Sequence, residues 1–281
     1  MDVALAELPT TAGAVFAANR ATGKITFHAG FAGGRTRRSR VYEDGSLRLR
    51  VPNTTNGTLE AVIVNTAGGM AGGDRFCIEI TAQNGADVVV GTAAAEKVYR
   101  AIGPDTEVTT RLSVGDGAKL AWLPQEMILF DRARLNRRID IDLATGASLL
   151  LCEAVVFGRA AMGETVEQGA LIDRWRLHRG GKLVFAENVR LDGAVADTLS
   201  QPASAKGACA LATILVAPGD EATCAAVREC EPQFAGEVGV SAWNGIAVAR
   251  FCARDGAALR RDVIAVLAAL KRAELPRLWL S

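Results

Sequence analysis

Residues 139–151 read Ile139-Asp140-Ile141-Asp142-Leu143-Ala144-Thr145-Gly146-Ala147-Ser148-Leu149-Leu150-Leu151. Successive side chains of a strand point to opposite faces, so Ile139, Ile141 and Leu143 share one face while Asp140 and Asp142 take the other, solvated one. Gly146-Ala147 marks a turn, and Leu149-Leu150-Leu151 is apolar on both faces. The same succession occurs twice upstream. Ile78, Ile80 and Ala82 lead through Gly85-Ala86 to Val88-Val89-Val90, and Thr110, Leu112 and Val114 lead through Gly117-Ala118 to Leu120-Ala121-Trp122. A looser copy runs from Trp175 and Leu177 through Gly180-Gly181 to Leu183-Val184-Phe185. The glycines at 85, 117, 146 and 180 are 32, 29 and 34 residues apart. A unit of this kind cannot bury its apolar face alone, so stacked copies are the economical solution. The expected fold is mainly β, an irregular β-helix-like or layered β body with a few helices toward the C-terminus. A plain sandwich with chance spacing is the alternative.

The texture changes after Gly219. Asp220 is placed to cap a helix from Glu221 to Cys230 that Pro232 stops. Trp243-Asn244-Gly245 forms a hairpin turn, with Ile246 to Ala253 as the returning strand. From Asp255-Gly256 a helix follows, because Leu259, Val263, Val266, Leu267 and Leu270 recur at three- and four-residue spacing, leaving Arg260, Arg261, Lys271 and Arg272 to the wet face. Pro276 ends it. Leu278, Trp279 and Leu280 form an apolar tail that either packs back on the body or meets a partner. The chain reads as a single domain over 1–281, with a β body to about 218 and a mixed segment over 219–281.

Composition narrows the function. Apolar residues are 49% and charged residues 22% of the 281, which is globular rather than disordered. Thirty-two basic residues stand against 31 acidic ones, so no excess of positive charge is available to hold a phosphate backbone, and nucleic acid is not an expected partner. The N-terminus is acidic at Asp2 and Glu7 with only a short apolar stretch at 13–18, so no secretory leader is read, the six cysteines are expected to be reduced, and the compartment is expected to be cytoplasmic. No apolar run approaches the ~20 residues a bilayer requires.

Chemistry is sparse. The segment Asn65 to Arg75 is rich in glycine, but it lacks the Gly-Lys-Ser/Thr ending of a phosphate loop and leads into a strand pattern rather than a helix. With His28 and His178 the only imidazoles and no Cys-x-x-Cys, a tight soft-ligand metal site within one chain is not expected. No nucleophile elbow is present. What remains are acids beside apolar strands: Asp74, Glu126, Asp131, Glu153 and Glu164. Such acids are either paired with arginines, for which Arg75, Arg132 and Arg159 are neighbours, or face a polar interior.

Three blocks carry a family resemblance: Gly68-Gly69-Met70-Ala71-Gly72-Gly73-Asp74-Arg75, Leu123-Pro124-Gln125-Glu126-Met127-Ile128-Leu129-Phe130-Asp131 and Phe157-Gly158-Arg159-Ala160-Ala161-Met162-Gly163-Glu164. Jointly and in this order they resemble the signature blocks of the urease accessory protein UreD (UreH) family, and Arg48 to Pro52 and Pro276 to Trp279 also fit. The resemblance implies a mainly β scaffold without catalytic residues. It further implies that the chain binds the urease apoprotein and UreF, which recruits the nickel-carrying GTPase UreG, and that nickel passes to the urease site through an internal path. On that reading Asp74, Glu126, Asp131 and Glu164 are candidates to line the path, with Gly72, Gly73, Arg75 and Arg159 in support, and Leu278, Trp279 and Leu280 are candidates for partner binding. No tightly bound metal or cofactor is implied, only transient nickel. Oxygen ligands suit transfer because they hold nickel less strongly than imidazole or thiolate. Two rivals are a β-helical saccharide hydrolase using Glu126 and Glu164, and a passive scaffold with no ion path.

Overall fold

The computed structural model describes residues 19–53, 57–101, 103–270 and 275–280. Its strands in chain order are β1 (Thr22–Ala32), β2 (Arg35–Gly45), β3 (Leu47–Arg50), β4 (Leu59–Asn65), β5 (Arg75–Ala82), β6 (Asp87–Thr92), β7 (Glu96–Val98), β8 (Thr106–Val114), β9 (Lys119–Leu123), β10 (Met127–Leu129), β11 (Arg134–Leu143) and β12 (Ser148–Phe157). The remainder are β13 (Gln168–Arg179), β14 (Lys182–Ala194), helix α1 (Val195–Ser200), β15 (Ala210–Ala217), α2 (Glu221–Arg228), β16 (Glu237–Trp243), β17 (Ile246–Ala253), α3 (Gly256–Leu270) and α4 (Arg277–Leu280).

The repeat becomes a stack of coils. Each coil lays one strand in a first sheet, ordered β14-β13-β11-β8-β5-β1-β2, then crosses to a second sheet built on β12-β9-β6-β4. Parallel registers reproduce the glycine spacing: Arg75 lies beside Glu107, 32 residues on, and Thr106 beside Leu135, 29 residues on. The crossing turns stack as well. Gln83, Gly115 and Ala144 donate their amides to the carbonyls of Ala29, Ala82 and Val114 at 2.8, 2.8 and 2.9 Å. Asp116 Oδ1 accepts the Gly146 amide at 3.2 Å, and a Cβ on Gly146 would sit 2.4 Å from that oxygen, so a larger residue there would push the Asp116 carboxylate aside.

The fourth copy departs from the expectation. Its first half stacks, with Ala170 beside Arg134, but Gly180 and Gly181 (φ 55° and 78°) turn the chain back into β14, antiparallel to β13 in the same sheet. The polar run around Glu187, Asn188, Arg190 and Asp192 suits a half-wet edge strand and would not tolerate the crossing into the second sheet.

Two cores explain the two strand textures. The first fills the space between the sheets, so first-sheet strands such as β8 alternate buried and exposed residues. A second lies between the outer face of the second sheet and helices α2 to α4, so β12 is buried on both faces from Leu149 through Phe157. β15 and β17 extend the second sheet antiparallel from β12, which joins the C-terminal segment to the coils.

The C-terminal expectations hold in outline. Asp220 caps α2 by accepting the Thr223 amide at 2.9 Å, and the helix ends at Arg228, two residues earlier than expected, before a 3-10 turn that contains Pro232. Asn244 and Gly245 (φ 51° and 73°) make the hairpin between β16 and β17. Arg260 is a correction, because it turns inward to the C-terminal tail rather than to water, while Arg261 is exposed. Asp140 is likewise paired, with Arg138 at 2.6 Å, rather than simply solvated. Asp2, Glu7, the 13–18 stretch, Lys271 and Arg272 lie outside the described residues. All six cysteines are free thiols, and among the described residues no helix is long and apolar enough to cross a membrane.

Candidate functional site

Returning from the second sheet to the first, each coil makes a corner; the three sequence blocks are the first, third and fourth of these corners, and the segment around β7 makes the second. Met70 donates to Lys97 O at 2.7 Å, Tyr99 to Met70 O at 2.8 Å, Phe130 to Val98 O at 3.0 Å and Gly158 to Leu129 O at 2.7 Å. β10 pairs in parallel with both β7 and β12, so residues about 30 apart in sequence become neighbouring rungs. Met70, Val98, Leu129 and Phe157 are buried beneath them. Glycine is required where rungs press together: a Cβ on Gly69 would lie 2.4 Å from the Tyr99 ring, and one on Gly72 would lie 2.7 Å from Pro104 O.

The predicted acids do not converge on one point. Buried Asp74 accepts the Ala21 amide at 2.8 Å and the Ala71 amide at 2.7 Å, which clamps the glycine-rich corner that Gly72 and Gly73 form; Arg75 faces out to Glu107 at 3.3 Å. Asp131 and Glu164 do meet. Asp131 Oδ1 accepts the Glu167 and Gln168 amides at 2.9 and 3.1 Å, and its own amide points at Glu164 Oε1 at 3.4 Å. Arg159 grips Glu164 with two nitrogens, at 2.7 and 3.0 Å, and lies 4.2 Å over the Phe130 ring, which meets the Tyr99 ring at an interplanar angle of 88°. The Arg159 hydrogen bond holds the Glu164 carboxyl below its ordinary range.

Glu126 belongs to a different group. Arg260 on α3 approaches it at 3.6 Å, donates to Gln125 Oε1 at 2.7 Å and to the carbonyls of Leu278 and Trp279 at 2.9 and 3.0 Å, and faces the Trp279 ring at 5.2 Å. Trp279 donates its indole N–H to Leu123 O at 2.9 Å and is 3% exposed. Of the three tail residues proposed to meet a partner, Trp279 therefore packs back on the body, Leu278 is half-buried, and Leu280, 66% exposed, presents real surface. The second block and the chain end are parts of one packed unit.

The strongest charged constellation lies elsewhere, between the sheets. Arg137 on β11 is completely buried and forks Asp173 on β13 through Nε at 3.0 Å and Nη2 at 2.5 Å, while Nη1 donates to Glu153 on β12. Trp122 and Trp175 donate their indole N–H groups to Glu153 and Asp173 at 2.7 and 2.9 Å. Burial opposes a charged guanidinium, yet the two carboxylates outweigh it and hold Arg137 above the ordinary arginine range. Burial pushes the Glu153 carboxyl up, against the pull of Arg137 and Trp122. One cation thus faces two acids at the floor of a cavity of about 520 Å³, whose walls come from both sheets and include Glu187 and Arg250.

Glu153 stood out in the sequence as an acid beside an apolar strand, whereas Arg137 and Asp173 did not. The signal was parity. Arg137 falls in step with Leu135 and Ile139, and Asp173 with Leu171 and Trp175, so each charge sits on the face its strand turns to the core. Among the described residues no three acid, histidine or cysteine side chains gather as a metal cage.

The profile of the UreD urease accessory protein family matches residues 21–280 of this chain. Urease accessory protein UreD of Bradyrhizobium diazoefficiens is 58% identical over 275 residues, covering 98% of this chain and 99% of the relative. Urease accessory protein UreD of Rhodopseudomonas palustris (strain BisB18) is 57% identical over 274 residues, covering 98% and 99%, and UreD 3 of a Bradyrhizobium species is 56% identical over 274 residues, covering 97% and 99%. With the stacked coils, the corner blocks and near end-to-end matches in agreement, the chain belongs to the UreD family of urease accessory proteins.

Proposed function

We propose that this chain serves urease maturation as a scaffold without catalysis of its own. It binds the urease apoprotein and UreF, gains UreG through UreF in the cytoplasm, and assists nickel insertion along a polar path between its sheets. The observation that carries the ion path is the pair of buried carboxylates, Glu153 and Asp173, at the floor of the inter-sheet cavity. Glu153 is an acid beyond the one Arg137 needs, in a place that otherwise holds apolar side chains, and burial raises its carboxyl, so its oxygens can exchange a proton for a passing dication and take it back when the ion leaves. The cluster offers nickel oxygen donors and no imidazole, and burial pushes up the Cys252 thiol on the cavity wall and so disfavours its thiolate, so the ion is held weakly enough to leave. Nickel is cargo here. The isolated chain is expected to bind it only at ~10⁻⁶ M or more weakly in calorimetry.

Glu153→Gln tests the path. It leaves Arg137 paired with Asp173, so assembly with urease and UreF should be normal while nickel content and urease activity per mole of complex fall. The same readout applied to Glu126→Gln and Glu164→Gln, whose acids are engaged by Arg260 and Arg159, should stay near wild type. Normal nickel loading in Glu153→Gln at normal complex yield would leave a passive scaffold.

A further inference from the structure

β2 ends the first sheet and pairs only with β1, so among the described residues no strand completes its outer row of backbone donors and acceptors. It carries Arg35, Arg37, Arg38 and Arg40, all exposed, and among the described residues none of the four makes a hydrogen bond, an ion pair or a ring contact. The side chains of Arg100, Arg254 and Arg261 likewise make no such contact among the described residues, but they are scattered, whereas these four fall within six residues. On the same sheet Arg75, Arg111, Arg134 and Arg138 each have a carboxylate, and at its opposite edge Arg190 and Glu187 of β14 are both paired. Four uncompensated cations within six residues repel one another, in a chain whose net charge is only +1.

The register makes the charges directional. A bulge between His28 and Ala29 leaves Ser39 as the extra residue, so Arg35, Arg37 and Arg40 stand opposite Ala32, Gly30 and His28. Those three positions of β1 alternate with the core-facing Ile25, Phe27 and Ala29, which puts the three arginines on one outer face. Beside them runs a groove of about 810 Å³ lined by Gly30, Phe31, Arg37, Arg38, Gln83 and Asn84.

We propose that β2 is a docking edge for an acidic, extended segment of a partner protein, which adds a strand to the sheet and places a carboxylate against the arginine face at every second residue. An open backbone ladder fits a peptide better than a nucleic acid, because phosphodiester chains cannot complete it. Arginine forks bind carboxylates in two-point geometry, and the excess charge steers the encounter.

The test uses the full-length chain and fluorescence anisotropy with three labelled probes: an octapeptide alternating Glu and Thr, its Gln-for-Glu counterpart, and a thymidine pentamer of similar charge. The acidic peptide should bind at least about tenfold more tightly than either of the others. Arg37→Glu/Arg40→Glu should abolish that preference, and the gentler Arg37→Gln/Arg40→Gln, with an unchanged melting temperature, should weaken the acidic peptide by about tenfold. Equal binding of the Glu and Gln peptides, tighter binding of the pentamer, or indifference of both variants would overturn the proposal. So would a dimer in light scattering that charge reversal dissolves, because a second copy would then be the occupant.

Discussion

Arg137 with Glu153 and Asp173, and Arg159 with Glu164 and Asp131, are the same three residue types in opposite surroundings. In the first cluster every member is buried and each carboxylate also takes an indole N–H; in the second the arginine side chain is 42% exposed and the carboxylates also take backbone amides. Solvent decides what each is worth. A buried pair is strongly coupled but has lost the hydration of both ions, whereas a wet pair gains little and loses little. The buried cluster specifies how three strands from two sheets come together, and the exposed one ties a corner.

The largest expected effect breaks the buried cluster asymmetrically. Arg137→Met strands two carboxylates in the core and is expected to cost about 3–5 kcal/mol in urea denaturation. Replacing all three members, with Glu153→Gln and Asp173→Asn added, should recover much of the loss, because no unpaired charge is then left inside. A single substitution costing under ~1 kcal/mol would mean that water reaches the cluster and that the contrast with Arg159 is false.

Arg260 lies between the extremes, with its side chain 24% exposed, and holds the tail through Trp279. Trp279→Ala should cost about 3 kcal/mol, near the lower end for a buried tryptophan because a terminal element can lift away without exposing the whole core. Leu280→Ser, one residue on and outside the packed unit, should leave the denaturation midpoint unchanged. Similar losses in both would mean that the tail docks as an apolar whole rather than through Trp279. Smaller still, Glu164→Gln should cost at most about 1 kcal/mol, since its ion pair is half-wet and the amide keeps the shape.

Much of this was legible in the chain. Period-two alternation and the glycine interval gave the coils and their 32- and 29-residue advance, because both follow from local backbone rules. Less legible was where the stack ends: Gly180-Gly181 resembles the crossing turns, and only the polarity of the strand after it shows that the chain doubles back. The corner acids were found by their blocks, but pairing is a tertiary property, so Glu126 could not be assigned to Arg260, 134 positions away. Arg137 and Asp173 are less legible, because an alternating strand declares its core face through its apolar members. A charge in phase with those members was the available signal.

The smallest effect is the most diagnostic, because the two clusters should respond to pH with opposite sign. In the folded chain Glu164 is held below the ordinary glutamate value of 4.5, chiefly by the Arg159 hydrogen bond. Its contribution to stability is fully present above 4.5 and is lost as pH falls through the folded value. Glu153 is pushed above 4.5, chiefly by burial. Its folded form holds a proton that the unfolded chain releases, so this contribution is fully present below 4.5 and is lost as pH rises through the folded value. Urea midpoints of the wild type and the two Gln variants, measured from about pH 4 to pH 8, separate the cases. The stability difference between wild type and Glu164→Gln should shrink toward the acid end, and that between wild type and Glu153→Gln should fall toward the alkaline end. Slopes of the same sign would mean that Arg137 and Trp122 overcome burial and keep Glu153 ionised, and the buried cluster would then behave as an enlarged version of the surface one.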